Sequence, residues 1–297
     1  QFEYLANPIA ILKGNLIVAG GFLLYMFSGF YSEILTLVII LIFAVVMPFL
    51  IFKSLRFSAY NTAYRNIRFN FRGKLSESYF LFLLFPFLIA LSLGLAAPYW
   101  AFKRKAYFFR NFNFGSTENE FEASAGYFYK IYLAAFGLGI LLLGFMGFFV
   151  FSSIGLQTFT EMGQYGDFDP AVLTPMFSSM FIMVFVYMVG ITAIEIFIYS
   201  KITNHCLENT SNDTLKLKSD LGVWPLVWIR ISNTLAILIS LGFLRPWAKV
   251  RRYRYLVQHI QVEANSSLDN FCAAQQDDVG ALGESAVDFF DLDISLW

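Results

Sequence analysis

Six long apolar stretches constrain this chain more than any motif in it. A helix needs roughly 20 mostly apolar residues to cross about 30 Å of hydrocarbon. Leu16–Phe30, on the short side, Ile34–Phe52, Ile131–Ser152 and Met176–Tyr199 meet that need. Two further stretches are interrupted: Tyr79–Phe102 by Pro86, Gly94 and Pro98, and Trp224–Leu244 by Arg230. The charge-free part of the latter, Ile231–Leu244, covers roughly 21 Å at about 1.5 Å per residue, too little to span alone.

Composition points the same way. Of the 297 residues 58% are hydrophobic, 36 are Phe and 14% are charged, against roughly 25% charged in an ordinary soluble domain. A soluble monomer would expose too much apolar surface to stay dispersed. An ordinary cytosolic enzyme, a nucleic-acid binder and a disordered chain are therefore excluded, and the class is an integral membrane protein. Acidic and basic residues balance at 21 each, so net charge points to no polyanionic partner. The chain opens on Gln1-Phe2-Glu3 without a secretory signal and is read as a fragment or a processed chain.

Short cytoplasmic loops collect Lys and Arg. If all six stretches span, the basic residues divide between both faces, and the acidic loop Ser153–Thr174 lies inside. If the two interrupted stretches instead enter and leave on one face, all 21 basic residues fall on the inner side. The preferred expectation is thus four spans plus two re-entrant segments, with six spans as the alternative. Non-helical backbone at membrane depth is tolerated where protein or water covers it.

One pattern recurs beside these stretches. Pro48 is followed by Lys53, Phe57 and Asn61; Pro98 by Lys103, Tyr107 and Asn111; Pro246 by Arg251, Tyr255 and His259. The spacings from the proline are identical, and Tyr199-Ser-Lys201-Ile-Thr-Asn204 looks like a looser copy without proline. A proline at a helix start loses nothing, since its missing N–H would be an orphan there. The basic residues and their aromatic neighbours suit the headgroup level of a membrane. The plain expectation is a membrane anchor. The sharper one is contact with a lipid headgroup or anionic solute through Lys103, Arg104, Lys249, Arg251, Arg252 and Arg254.

Between the stretches the apolar period changes to two. Ile67, Phe69 and Phe71 alternate with polar residues as in a half-buried strand. Phe112 and Phe114, the turn-like Gly115-Ser116 and then Phe121 predict a hairpin. Leu215 with Leu217, His259–Glu263, and Phe2 with Tyr4 predict further strands. The expected fold is an all-α polytopic membrane protein with short cytoplasmic β hairpins, built from degenerate internal repeats. Its membrane domain covers 1–264, and an acidic tail covers 265–297.

The sequence resembles the YjgN family of bacterial inner-membrane proteins, whose biochemical function is unassigned. The resemblance rests on Phe2-Glu-Tyr4 running into Ile11-Leu12-Lys13-Gly14, on Arg245-Pro-Trp-Ala-Lys249-Val-Arg251-Arg252 with Tyr255, and on Gly283-Glu284 through Asp288-Phe-Phe-Asp291-Leu-Asp293. It implies an inner-membrane address and a repeated fold, and carries no catalytic or ligand residues. Family members usually begin with one more copy of the module, so the resemblance also implies a missing N-terminal piece.

Other constellations are weak. His205 and Cys206 are adjacent, but no second Cys or His lies at zinc spacing, so no metal and no cofactor is expected. Gly137, Gly139, Gly144 and Gly147 on one apolar stretch, and Gly20-Gly21 on another, predict close helix packing, with a pore or hinge as the lesser reading. Glu195 and Arg230 lie inside apolar stretches, where charge is costly and functional by default; the plainer reading is snorkelling or mutual pairing near the surface. In the tail, Asp269, Asp277, Asp278, Glu284, Asp288, Asp291 and Asp293 face no basic residue of the same segment. They suit either a solvated tail or docking onto the basic segments.

The leading functional expectation is a transport-type or channel-like protein, because paired, interrupted segments mark binding sites in transporters. Its partner would be a small solute, and Glu195 and Arg230 its first test positions. The alternative is a non-transporting membrane scaffold that binds lipids of the anionic leaflet. Neither involves nucleic acid, and no acid–base or nucleophile constellation supports an enzyme.

Overall fold

A computed structural model describes residues 2–4, 8–64, 67–115, 117–165, 170–212 and 215–264. The described residues are mostly helical, with two small sheets. Among the described residues three helices are long and apolar enough to cross a membrane: Glu33–Asn61, Ala125–Phe149 and Met180–Glu208. Val18–Tyr31 forms a shorter apolar helical stretch. The acidic tail lies outside the described residues.

The order strand, helical pair, strand occurs four times among the described residues. The first has β1 (Phe2–Tyr4), α1 (Pro8–Tyr31), α2 (Glu33–Asn61) and β2 (Thr62–Tyr64). The second has β3 (Ile67–Phe71), a first arm of α3 (Leu75–Tyr79), a π-helical turn (Phe80–Leu84) and α4 (Phe85–Leu91), then α5 (Ala97–Asn111) and β4 (Phe112–Phe114). The third has β5 (Glu120–Phe121), α6 (Ala125–Tyr165), α7 (Pro170–Glu208) and β6 (Thr210–Ser211). The fourth has β7 (Leu215–Ser219), α8 (Val223–Ile239), α9 (Arg245–Gln258) and β8 (Ile260–Ala264).

The strands before and after each helical pair are neighbours in a sheet. The sheets run β1-β2-β3-β4 and β5-β6-β7-β8. Phe2 faces Tyr64, Phe69 faces Phe114 and Glu120 faces Ser211, all antiparallel. In the fourth, Asp220 N–H donates to the His259 carbonyl at 3.1 Å. Each helical pair therefore begins and ends at one place. The strands predicted at 67–71, 112–114 and around 121, 215–217 and 260 are present. The hairpin predicted between Phe112–Phe114 and Phe121 is not, because β4 pairs with β3 and β5 with β6. Asn119 separates them: its side-chain amide donates to the carbonyls of Phe109 and Phe112 at 3.3 and 2.8 Å. Its N–H donates to Asn113 Oδ1 at 2.9 Å. A polar side chain thus occupies backbone groups that a hairpin would have paired.

Both interrupted stretches turn back on themselves. The first reverses at Leu93 and Gly94 (φ 51° and 90°), the second at Leu241 and Gly242 (φ 49° and 94°). The two turns share their hydrogen bonds. Gly94 N–H donates to Ile89 O at 2.8 Å, as Gly242 N–H does to Ile237 O at 2.8 Å. Ser92 Oγ accepts from Ala96 N–H and Ser240 Oγ from Leu244 N–H, each at 3.0 Å. This is a left-handed helix ending, closed by a bond from the glycine to the carbonyl five residues back.

The predicted outer loop at 153–174 is largely helical. α6 continues to Tyr165 through Ile154, Leu156 and Phe159, and α7 starts at Pro170, where a proline costs no hydrogen bond.

The described chain forms two compact units. One comprises the chain up to Phe128 together with His205–Lys218 and the strand end from Val262; the other comprises Tyr129–Asn204 and Ser219–Gln261. In the first, Phe57, Ala59, Phe109, Phe128, Cys206 and Leu207 are buried, at the strands and the helix ends beside them. Phe109 stacks on Phe121 with rings 9° from parallel and 5.6 Å apart. In the second, Leu221, Leu226, Val227, Ala248 and Leu256 are buried. The long apolar helix lengths are exposed instead, as at Phe30, Leu133, Leu141 and Phe181. A chain that buries its core at the strands and bares Phe and Leu along its helices is organised for an apolar solvent.

Of the glycines predicted to pack, Gly21 on α1 meets Phe43 of α2, 3.3 Å from where its Cβ would lie, while those of α6 meet nothing. A Cβ at Gly137, Gly139, Gly144 or Gly147 would meet nothing within 4 Å. The close approach is at Gly190, where a Cβ would lie 2.6 Å from Leu142 Cδ2. Leu142 of α6 seats on Gly190 of α7, so the glycine stripe occupies a different part of the α6 surface.

Candidate membrane interface

The basic residues gather where the helical pairs meet the strands. Proline starts two of these segments, since α5 and α9 carry Pro98 and Pro246 in their first turn. Pro48 departs from expectation and lies inside α2. Its carbonyl accepts from the fully buried Ser78 Oγ at 2.7 Å.

Just after each proline an aromatic ring and a cation stand four residues apart on one helix face. Lys53 lies 5.7 Å from the Phe49 ring centroid, Lys103 5.5 Å from Tyr99 and Arg251 5.5 Å from Trp247. Arg104 adds a fourth such pair, 4.7 Å from Trp100. These distances suit cation–π attraction.

The helix ends also match. The side-chain amide of Asn61 donates to Phe57 O at 2.8 Å, that of Asn111 to Tyr107 O at 2.7 Å and that of Asn209 to His205 O at 2.7 Å. His259 Nδ1 lies 2.8 Å from Tyr255 O. Each places a side-chain nitrogen on a carbonyl of the last helical turn, and the His205 carbonyl takes the Asn209 backbone N–H as well, at 3.2 Å. The residue matching Asn61 in the third helical pair is therefore Asn209, with Lys201 and His205 before it, and not Asn204. The Asn204 Oδ1 instead accepts from Ser219 Oγ at 2.7 Å and Leu221 N–H at 3.0 Å.

Two tyrosines at corresponding positions tie the short pairs to their own beginnings. Tyr107 Oη donates to Lys74 O at 3.1 Å, and Tyr255 Oη accepts from Gly222 N–H at 3.1 Å. Burial, and after it the nearby Glu77 charge, holds the Tyr107 phenol far above its usual value.

The predicted contact residues divide by environment. Arg251 is turned into its hairpin: its Nη1 donates to Ser232 Oγ at 2.6 Å and Asn233 Oδ1 at 3.1 Å. The Asn233 amide in turn donates to Ala248 O at 3.0 Å. Lys103 and Arg104 are half-buried on α5, and Arg252 lies 5.7 Å from the Tyr199 ring. Lys249 and Arg254 are exposed. Glu195 on α7 and Arg230 on α8 are also exposed and do not pair with each other; ion pairs among the described residues include Arg72–Glu118 and Lys218–Glu263.

The sequence reading missed an open polar cleft of about 580 Å³ lined by Arg72, Arg110, Asn113, Glu118, Asn119 and Glu122, among others. It sits between β4 and β5, where the strand pairing breaks. Asn113 and Asn119 at a strand junction were its only signal.

No curated protein and no solved structure matches the chain. One family model does, over residues 1–289, and YjgN falls within the same family. The chain belongs to the family described as bacterial protein of unknown function (DUF898).

Proposed function

We propose that this is a multi-pass protein of the bacterial inner membrane that acts as a non-transporting scaffold holding anionic lipid. In this reading α1, α2, α6 and α7 span the bilayer. The pairs α3–α5 and α8–α9 enter and leave one leaflet, and the strands and the chain end lie in the cytoplasm. The four strand–helix–helix–strand units are degenerate copies of one module.

One observation carries the reading: the level of the charges relative to the turns. At about 1.5 Å per residue, Lys103 lies roughly 14 Å along α5 from Gly94, and Arg251 roughly 14 Å along α9 from Gly242. Arg230 lies a similar ~14 Å before the end of α8. One leaflet of hydrocarbon is about 15 Å thick. With the turns at the bilayer centre, all three cations reach headgroup level, and Arg230 needs no buried partner. Arg245 and Lys249 sit closer to the turn, and their long stems have to snorkel. A basic residue beside an anionic leaflet gains about 1 kcal/mol.

The test is to replace Lys249, Arg252 and Arg254 by Gln together and leave Arg251, which the hairpin uses. The full chain in detergent should lose phosphatidylglycerol that the parent retains, with flux of small solutes across proteoliposomes unchanged. Retained lipid with altered flux would favour the transport-type reading, in which Glu195 and Arg230 face a solute path.

A further inference from the structure

The two short helical pairs end in matching apolar tips. Leu91, Leu93 and Leu95 are 84%, 94% and 76% exposed; Ile239, Leu241 and Phe243 are 84%, 90% and 86% exposed. Among the described residues nothing covers them, and both turns close through the same hydrogen bonds. Leu93 and Leu241 hold left-handed conformations with φ of 51° and 49°, which disfavour a residue that carries a Cβ. An Asn at either place would relieve that strain, so the leucine side chains are kept at the tip against a backbone cost.

We infer that each tip is a wedge confined to the leaflet it enters, and that its partner is the acyl layer of a loosely packed, positively curved anionic leaflet. The inference rests on the re-entrant reading above and adds a preference for membrane shape. A spanning helix displaces lipid from both leaflets alike. A hairpin that turns at the centre displaces it from one only, and binding by such shallow apolar insertions depends on curvature and lipid composition. The chain carries two of them. Their feet bear Lys103 and Arg104 in one pair and Arg252 and Arg254 in the other, which selects an anionic surface.

The test uses the full chain with Cys272→Ser and Lys216→Cys. Cys206 is fully buried and Lys216 is exposed on β7. After reconstitution into giant vesicles of phosphatidylcholine and phosphatidylglycerol, an impermeant fluorescent maleimide marks only molecules whose strands face outward. Tubes are then drawn from the vesicles. The marked protein should be denser in the tube than on the vesicle, increasingly so as the tube narrows. The double variant Leu93→Asn with Leu241→Asn should bring the ratio back to one while keeping its helical circular dichroism and elution volume.

A ratio that ignores tube radius, or one the folded double variant leaves unchanged, would overturn the wedge. If a lipid-borne quencher still places the tips at the acyl centre, that outcome removes the wedge and leaves the re-entrant reading standing. Tips found on the far face would remove both.

Discussion

The indole Nε1–H of Trp100 donates to the carbonyl of Leu81 across the second helical pair at 2.8 Å. That carbonyl is free for a reason written in the sequence. In the π-helical turn Phe80–Leu84 the bond runs from each N–H to the carbonyl five residues earlier, and Phe85 N–H takes Phe80 O. The N–H due to Leu81 O belongs to Pro86, which has none. Leu81 is buried, so its carbonyl would be an orphan without the indole.

Trp100→Phe removes this donor and should destabilise the protein by about 1–3 kcal/mol. Adding Pro86→Ala supplies a backbone N–H and should return part of the loss. Thermal unfolding of the four proteins in one detergent gives the double-mutant cycle, and strict additivity would contradict the pairing.

Arg251→Lys keeps the charge but loses the guanidinium that reaches both Ser232 and Asn233. Loss of about 1–3 kcal/mol is expected. Arg254→Lys, at an exposed position, should change stability by less than about 0.5 kcal/mol. Equal effects of the two substitutions in a melt would show that Arg251 serves the surface.

Tyr107 makes stability depend on alkaline pH. Its phenol is raised by burial and then by Glu77, from a usual value of 10.0. The folded protein holds the proton where the unfolded chain releases it. The contribution is complete below pH about 10 and is lost as pH rises toward the folded value. Unfolding measured at increasing alkaline pH should show a decline that Tyr107→Phe reduces. A Tyr107→Phe protein with the parent's pH slope would contradict the assignment.

Gly94 and Gly242 have φ of 90° and 94°, and a Cβ at either would meet nothing within 4 Å. Substitution by Ala therefore acts through the backbone alone. Each should cost about 1–2 kcal/mol, with Gly190→Ala governed instead by its contact with Leu142. Melts of Gly94→Ala and Gly242→Ala at parent stability would show that the turns differ from those described.

Much of this architecture was legible because periodicity and spacing are local. The shift from apolar runs to alternation marked β3, β7 and β8. The matched prolines marked α5 and α9, and an Arg inside an apolar run marked a segment that divides into two short helices, α8 and α9. Partners distant in the chain were not legible. Phe112–Phe114 and Phe121 read as a hairpin because adjacent strands usually pair, and nothing local says that Asn119 blocks it. Asn204 looked like the counterpart of Asn61, because without a proline to set the register the spacing to Asn209 had no origin. The glycines of α6 suggested packing, but a glycine count does not say which face meets α7. Arg251 read as a headgroup contact because Ser232 and Asn233 reach it only once the chain has folded back.

The most direct measurement is the depth of the turns. Single cysteines at Leu93 and Leu241, in the Cys272→Ser background, are offered an impermeant maleimide from each side of an intact membrane, with Lys216→Cys marking the strand face. Both turns should resist from either side and react only after detergent is added. Labelling of either turn from the face opposite Lys216→Cys would mean that the short pairs cross, and would contradict the re-entrant account.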